Sequence, residues 1–182
     1  MDLLELCKSR RSIRRYKPEI PEKPLIEKIL EAAIWAPSGC NEQPWFFSIL
    51  QNHALMETIN QKTKALMSKS ETPWIAKMGN DEQFHLFYHA PVVIIVSGRK
   101  TSYSSIIDCS AATQNMLLMA HSCGLGSCWI GLVDHYFSLP ESRETLGIPK
   151  EYEGFFAIAL GYPDSEFQPR LPVRNTDVFI WI

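Results

Sequence analysis

The chain has 182 residues, 46% of them hydrophobic and 21% charged, which suits one globular domain over residues 1–182 with a sizeable core. Its formal net charge of −2 supplies no global basic field for nucleic acid, and five cysteines without a C-x-x-C pair argue against a zinc site or a disulfide framework. No apolar run reaches the length of a bilayer span or a signal segment, so the sequence reads as cytoplasmic, with reduced thiols and no membrane partner.

In chain order, Leu3, Leu4 and Leu6 among charged residues predict a short amphipathic helix over residues 1–9, followed by the basic run Arg10-Arg11-Ser12-Ile13-Arg14. Leu25, Ile29, Leu30, Ala33 and Ile34 recur at helical spacing after Pro21 and Pro24, and Ala36-Pro37 stops that second helix. Trp45 to Leu50 predicts a strand, and Asn52 the cap of a helix from His53 to about Ser68. Residues 70–83 are polar and broken by Pro73 and Gly79, the composition of a mobile segment or lid.

The β-branched run from Ala90 to Val96 predicts a strand buried on both faces. A long, central helix from about Ile106 to Cys123 follows, ended by Gly124 as its left-handed residue. Within it, Gln114 and Asn115 read as core groups with satisfied hydrogen bonds or as interface contacts. Leu125 to Val133 is glycine-punctuated, and Ser138-Leu139-Pro140-Glu141 reads as cap, proline and capping-box glutamate of a short helix to Leu146, ending at Gly147. Gly154 to Leu160 predicts another strand, and the apolar end Val178-Phe179-Ile180-Trp181-Ile182 is expected to pack on a sheet or a partner chain. Strands and helices together predict an α/β layer fold with a three- or four-helix cover.

Two stretches carry chemistry. Arg10, Arg11 and Arg14 around Ser12 offer guanidinium forks that match phosphate oxygens, although a solvated basic helix end would contain the same residues. Pro37 to Pro44 brackets a hydroxyl, a glycine and two carboxamides with no strong acid, base or metal ligand. That inventory fits a planar heterocycle with a uracil-like edge, and a turn without any ligand equally well. Cys40 has no histidine beside it in sequence to lower its pKa, so it is not expected to be a nucleophile, and Cys128 reads as a small buried hydrophobe.

The order of four motifs resembles the FMN-dependent nitroreductase family over nearly the whole chain. These are Arg10-Arg11-Ser12-Ile13-Arg14; Ala36-Pro37-Ser38 with Asn41 and Gln43-Pro44-Trp45; Gly124 to Gly131; and Gly161-Tyr162-Pro163 with Arg170-Leu171-Pro172. The resemblance implies an α+β fold, a sandwich with a central, mainly antiparallel sheet covered by helices. It also implies a C-terminal extension packing on the partner subunit of a homodimer, with FMN in each of two interface sites. By position, Arg10, Arg11, Ser12 and Arg14 would come from one subunit, with Arg10 and Ser12 near the phosphate and ribityl end and Arg14 toward the pyrimidine. Arg170 would close on the phosphate. Pro37, Ser38, Asn41 and, more weakly, Gln43 would come from the other subunit, while main-chain groups of Trp129, Ile130, Gly131 and Leu132 would approach N5 and O4.

The implied activity is transfer of two electrons from NADH or NADPH to a nitroaromatic, quinone or related small-molecule acceptor in ping-pong order. Alternatives on the same fold are flavin-consuming benzimidazole synthesis, reductive dehalogenation and flavin storage or sensing. No catalytic side chain and no metal are required, since the cofactor carries the electrons and Arg14 would stabilise negative charge on the pyrimidine edge. Two positions depart from the family pattern: Leu132 stands where many relatives have a second glycine, and Gln168 where some have a cation. Trp74, His85 and Tyr103 are pocket candidates only.

Overall fold

A computed structural model describes residues 2–166 and 172–182. Helices α1 (Leu3–Ser9) and α2 (Lys23–Ile34) precede strand β1 (Trp45–Leu50), helices α3 (His53–Met67) and α4 (Pro73–Asn80), and strand β2 (Val92–Arg99). Then come α5 (Ser105–Ser122), β3 (Gly126–Ile130), the single turns α6 (Asp134–Phe137) and α7 (Ser142–Thr145), and β4 (Tyr152–Gly161). The four strands form one antiparallel sheet in the order β1-β2-β4-β3.

Strand alternation sends the two halves of the apolar set to opposite faces. Val92, Ile94, Val96, Phe156, Ile158 and Leu160 pack under α2 and α5. Val93, Ile95, Cys128, Ile130, Ala157 and Ala159 face Met56 and Ile59 of α3 and Tyr136 of α6. The sheet is therefore the middle of three layers, and β2 is apolar throughout because both its faces are covered. Asn115 ties α5 to α2 by donating to the Ala32 carbonyl at 3.0 Å, whereas Gln114 is exposed.

The predicted elements recur with instructive differences. Asn52 does cap α3, its side chain accepting from Leu55 N, and Gly124 ends α5 at φ +76°. The segment read as a lid is instead the helix α4: Pro73 sits in its first turn, where a missing N–H costs nothing. Gly79 lets α4 lie against α3 so closely that a Cβ there would stand 2.3 Å from Ser68 N. The glycine-punctuated stretch after Leu125 contains β3, hydrogen-bonded to β4. The expected capping box is not formed. Ser138 donates to the His135 carbonyl, Glu141 pairs with Lys62 at 2.8 Å, and the helix contracts to α7. Seven α-helices, two of them single turns, and a 3-10 turn at Gly39–Asn41 stand among the described residues where three or four helices were expected.

The turn into β2 rests on a buried histidine. His85 Nδ1 accepts the Phe87 and His89 N–H groups at 3.1 and 3.2 Å, and Nε2 lies 3.2 Å from Glu57 Oε2, the arrangement of a neutral Nε2–H tautomer. Burial and the stacked His89 ring, 4.0 Å away, lower its pKa to about 4. The unfolded chain takes up this proton near the ordinary value of about 6.5, so stability is complete above that pH and falls as pH descends toward 4. Between pH 6.5 and 5 the loss from this residue is about 2 kcal/mol. Urea unfolding at pH 7 and pH 5 should show it in the wild type and a much flatter dependence in His85→Gln. An equal slope in both proteins would clear His85.

Candidate functional site

After α1 the chain runs extended beside β3. Ser12 bridges Ser127 in parallel, Ile13 N donates to the Ser127 carbonyl at 3.0 Å, and further on Tyr16 bridges Pro163. Tyr16 pins the segment by donating to the Ile13 carbonyl at 2.6 Å. In extended chain successive side chains alternate faces, so Arg10, Ser12 and Arg14 share one side and Arg11 and Ile13 the other. Ser12 and Arg14 reach the Cys128 thiol, and Arg10 acts on it through its charge. Arg11 turns back onto α1, donating to the Lys8 and Arg10 carbonyls, where a cation complements the helix C-terminus. Ile13 packs on Gly126 so closely that a Cβ there would meet three Ile13 atoms at 2.8–2.9 Å; only glycine lets the arginine segment lie this near the sheet.

The electrostatics of this corner are one-sided. Burial, then Arg11 and Arg174, push Arg10 below the ordinary arginine value, the sign of crowded cations. Among the described residues no carboxylate forms an ion pair with Arg10 or Arg14. Burial pushes the Cys128 thiol up against the opposing pull of Arg14 and Arg10, so it is a neutral packing group. Arg14 also lies over the Tyr88 ring, 5.7 Å from its centroid. Tyr88 and His89 are consecutive left-handed residues at φ +54° and +55°, held there by the His85 turn.

At the end of β3, Trp129 stacks 4.4 Å from Phe156 with about a third of its surface exposed, and Ile130 is buried. Gly131 is exposed, a Cβ built on it would meet nothing within 4 Å, and Leu132 is half-buried. Main chain is thus presented to open space at the end of β3.

The loop from Pro37 to Pro44 is a separate, preorganised unit. Cys40, Asn41 and Gln43 adopt φ of +50°, +57° and +46°, unusual for residues with side chains. Ser38 Oγ accepts from Gln43 N at 3.1 Å, and Gln43 Nε2 donates to Asn41 Oδ1 at 3.1 Å, so the hydroxyl and both carboxamides act together. Pro37, Asn41 and Gln43 are exposed and Ser38 is half-buried. Asp108 of α5, absent from the sequence-level list, anchors the loop at Gly39.

The structure does not bring the two halves together within one chain. The loop leads into β1 at one sheet edge, and the arginine segment flanks β3 at the other, three interstrand gaps or about 14 Å away. The register adds an offset along the strands. Ser127 aligns through Leu160 with Val92, whereas Trp45 aligns with Gly98, six residues or about 20 Å further. The halves therefore occupy diagonal corners of the sheet. Arg170 lies outside the described residues. Among the described residues no group of three or more His, Cys, Asp or Glu is placed to hold a metal ion, and no helix is long and apolar enough to cross a membrane.

These donors fit the parts of FMN: guanidiniums without a carboxylate partner and a hydroxyl for a phosphate and its ribityl chain, open main chain for a ring edge, and carboxamides for a uracil-like edge. Comparison with known proteins agrees. A protein of Methanothermobacter thermautotrophicus named as a candidate NADH dehydrogenase/NAD(P)H nitroreductase is 39% identical over 168 residues, covering 90% of this chain and 78% of its own. A crystal structure of a nitroreductase with bound FMN from Bacteroides fragilis superposes with a TM-score of 0.91 at 30% identity, covering 100% and 99% of the two chains. An iodotyrosine deiodinase bound to FMN and 3-iodo-L-tyrosine superposes with a TM-score of 0.74 at 25% identity, covering 99% and 98%. The nitroreductase family model matches residues 7–162, from within α1 to the end of the sheet, and the chain belongs to that family.

Proposed function

We propose that the chain is one protomer of a homodimeric FMN oxidoreductase that passes two electrons from NADH or NADPH to a nitroaromatic, quinone or related acceptor. The observation that carries this reading is the diagonal separation of the two halves: each is open and polar, and a second copy can bring its loop to the first copy's arginine face. Exposed apolar groups support the dimer. Trp35, Tyr103, Ile106 and Ile107 are 54–100% exposed, and Val178 to Ile182 of the tail are exposed as well. In this reading the whole chain is a single FMN domain working in the reducing cytoplasm.

FMN, when bound, supplies the two-electron chemistry at its N5 atom. The protein's part is binding and electrostatics. Arg10 and Ser12, with Arg170, hold the phosphate and ribityl end, while Arg11 contributes positive field from the far side of the segment. Arg14 would place a fixed cation by the pyrimidine edge and favour negative charge there. Pro37, Ser38, Asn41 and Gln43 of the partner copy close the opposite edge, and the main chain of Trp129 to Leu132 lines the N5 side. Donor and acceptor take turns in one cleft, which gives the ping-pong order.

Anaerobic stopped-flow mixing of the FMN-loaded protein with each nicotinamide, then with an acceptor panel, tests the proposal. The expected result is bleaching of the visible flavin band by NADH or NADPH and its return with nitroaromatics or quinones. Protein that retains no FMN overturns the reading. FMN that no nicotinamide reduces favours a storage or sensing protein, and halide release or flavin loss favours the alternative chemistries.

A further inference from the structure

Three non-glycine residues in left-handed conformation within four positions need something to hold them. Inside the loop, Asn41 N donates to the Ser38 carbonyl at 3.1 Å and Glu42 N to the Gly39 carbonyl at 3.0 Å, but these bonds move with the loop. Pro44 at the loop's end accepts from Arg99 N at 2.9 Å, and the strained residues before it are tied to the scaffold by Asp108, in the first turn of α5 and 5% exposed. Both its oxygens accept the Gly39 N–H at 3.3 Å, and Oδ2 accepts the Ser104 hydroxyl at 2.8 Å. Ser104 occupies the N-cap position of α5 without capping it, its hydroxyl being turned to Asp108 instead. The packing is tight as well: a Cβ on Gly39 would fall 2.5 Å from Ser104 Oγ.

A buried carboxylate is costly to desolvate, and among the described residues no cation pairs with this one. The N-terminal turn of α5 favours a negative charge without requiring that it be buried, whereas a loop carrying backbone strain needs a strong acceptor at a fixed point. We infer that Asp108 is the positioning residue of the half-site formed by Ser38, Asn41 and Gln43, its carboxylate clamping Gly39 so that the left-handed turn aims one hydroxyl and two carboxamides at the partner copy's FMN. The inference rests on the proposed FMN reading. Asp108 touches no cofactor and acts through the loop alone, so α5 of one protomer sets the quality of the site completed on the other.

The test compares wild type, Asp108→Ala, Asp108→Asn and Ser104→Ala by FMN titration, by the visible spectrum of bound FMN and by hydrogen exchange of residues 38–43 in the apoprotein. Asp108→Ala is expected to raise the Kd for FMN roughly tenfold or more, to blur the bound-flavin band, and to accelerate exchange in the loop without changing the dimer. Asp108→Asn keeps one oxygen for the Gly39 N–H and should recover most of the affinity; Ser104→Ala should fall between. If Asp108→Ala does not fold, the ranking of wild type, Asn variant and Ser104→Ala decides. Wild-type affinity with unchanged loop exchange in Asp108→Ala overturns the inference, as does an Asn variant as weak as the alanine one. If the wild type itself binds no FMN, the flavin reading has failed, and loop exchange in the apoprotein still decides whether Asp108 is the clamp.

Discussion

Arg14→Ala is expected to weaken FMN binding by roughly 10- to 100-fold, about 1.5–3 kcal/mol for a lost charge-assisted contact. The guanidinium faces Cys128 on one side and lies over the Tyr88 ring on the other, with no competing carboxylate among the described residues. Little side-chain entropy is therefore lost on binding, and removal of the cation is felt nearly in full. Arg14→Lys keeps the charge but loses the planar fork and its stacking on Tyr88, so it should lie between alanine and wild type. Fluorescence titration of FMN into the apoprotein measures both. Unchanged affinity in Arg14→Ala would remove the pyrimidine-edge role.

Removal of residues 172–182 is expected to convert the protein to a monomer at micromolar concentration and to abolish FMN retention with it. The tail has no regular secondary structure and does not pack on its own sheet: Phe179, Ile180 and Trp181 are 73%, 80% and 90% exposed. Full burial of each such side chain is worth about 1.5–3 kcal/mol before the losses of association are subtracted. A partner surface that covers these residues thus supplies a large part of a dimer's stability. In the proposed dimer the site is shared, so mass action couples the two equilibria, and FMN should leave as the dimer dissociates. Size-exclusion chromatography with simultaneous detection at the flavin band reads both. A truncated protein that elutes as a yellow dimer would contradict this account.

Much of the layer structure was legible because it depends on local patterns. Trp45–Leu50 reads directly as a strand, Asn52 as a cap and Gly124 as a helix end, each decided by residues within one turn. What failed depended on context. Pro73 reads as a breaker unless one knows that a helix begins there, and β3 has five residues whose strand character comes from pairing with β4. Ser138 and Glu141 have capping-box spacing, but tertiary partners, His135 and Lys62, claim their side chains.

The candidate site divides in the same way. The side shared by Arg10, Ser12 and Arg14 follows from the period of extended chain, and that period also explains why Arg11 faces away. Asp108 was not legible, because its partner Gly39 is 69 positions distant and an acid in the first turn of a helix ordinarily needs no explanation. Tyr88 was missed for a similar reason. Its position over Arg14 is set by a left-handed turn that His85 holds from inside the core.

The central claim is that each FMN site is assembled from two chains, and a heterodimer tests it most directly. One chain would carry Arg10→Ala and Arg14→Ala, the other Asn41→Ala and Gln43→Ala, with different affinity tags so that the mixed dimer can be purified. Both altered homodimers should bind FMN weakly. In the heterodimer one site collects all four substitutions and the other none, so the account predicts one FMN per heterodimer bound with wild-type affinity. A heterodimer without any tightly bound FMN would show that each chain builds its own site, and would contradict the account.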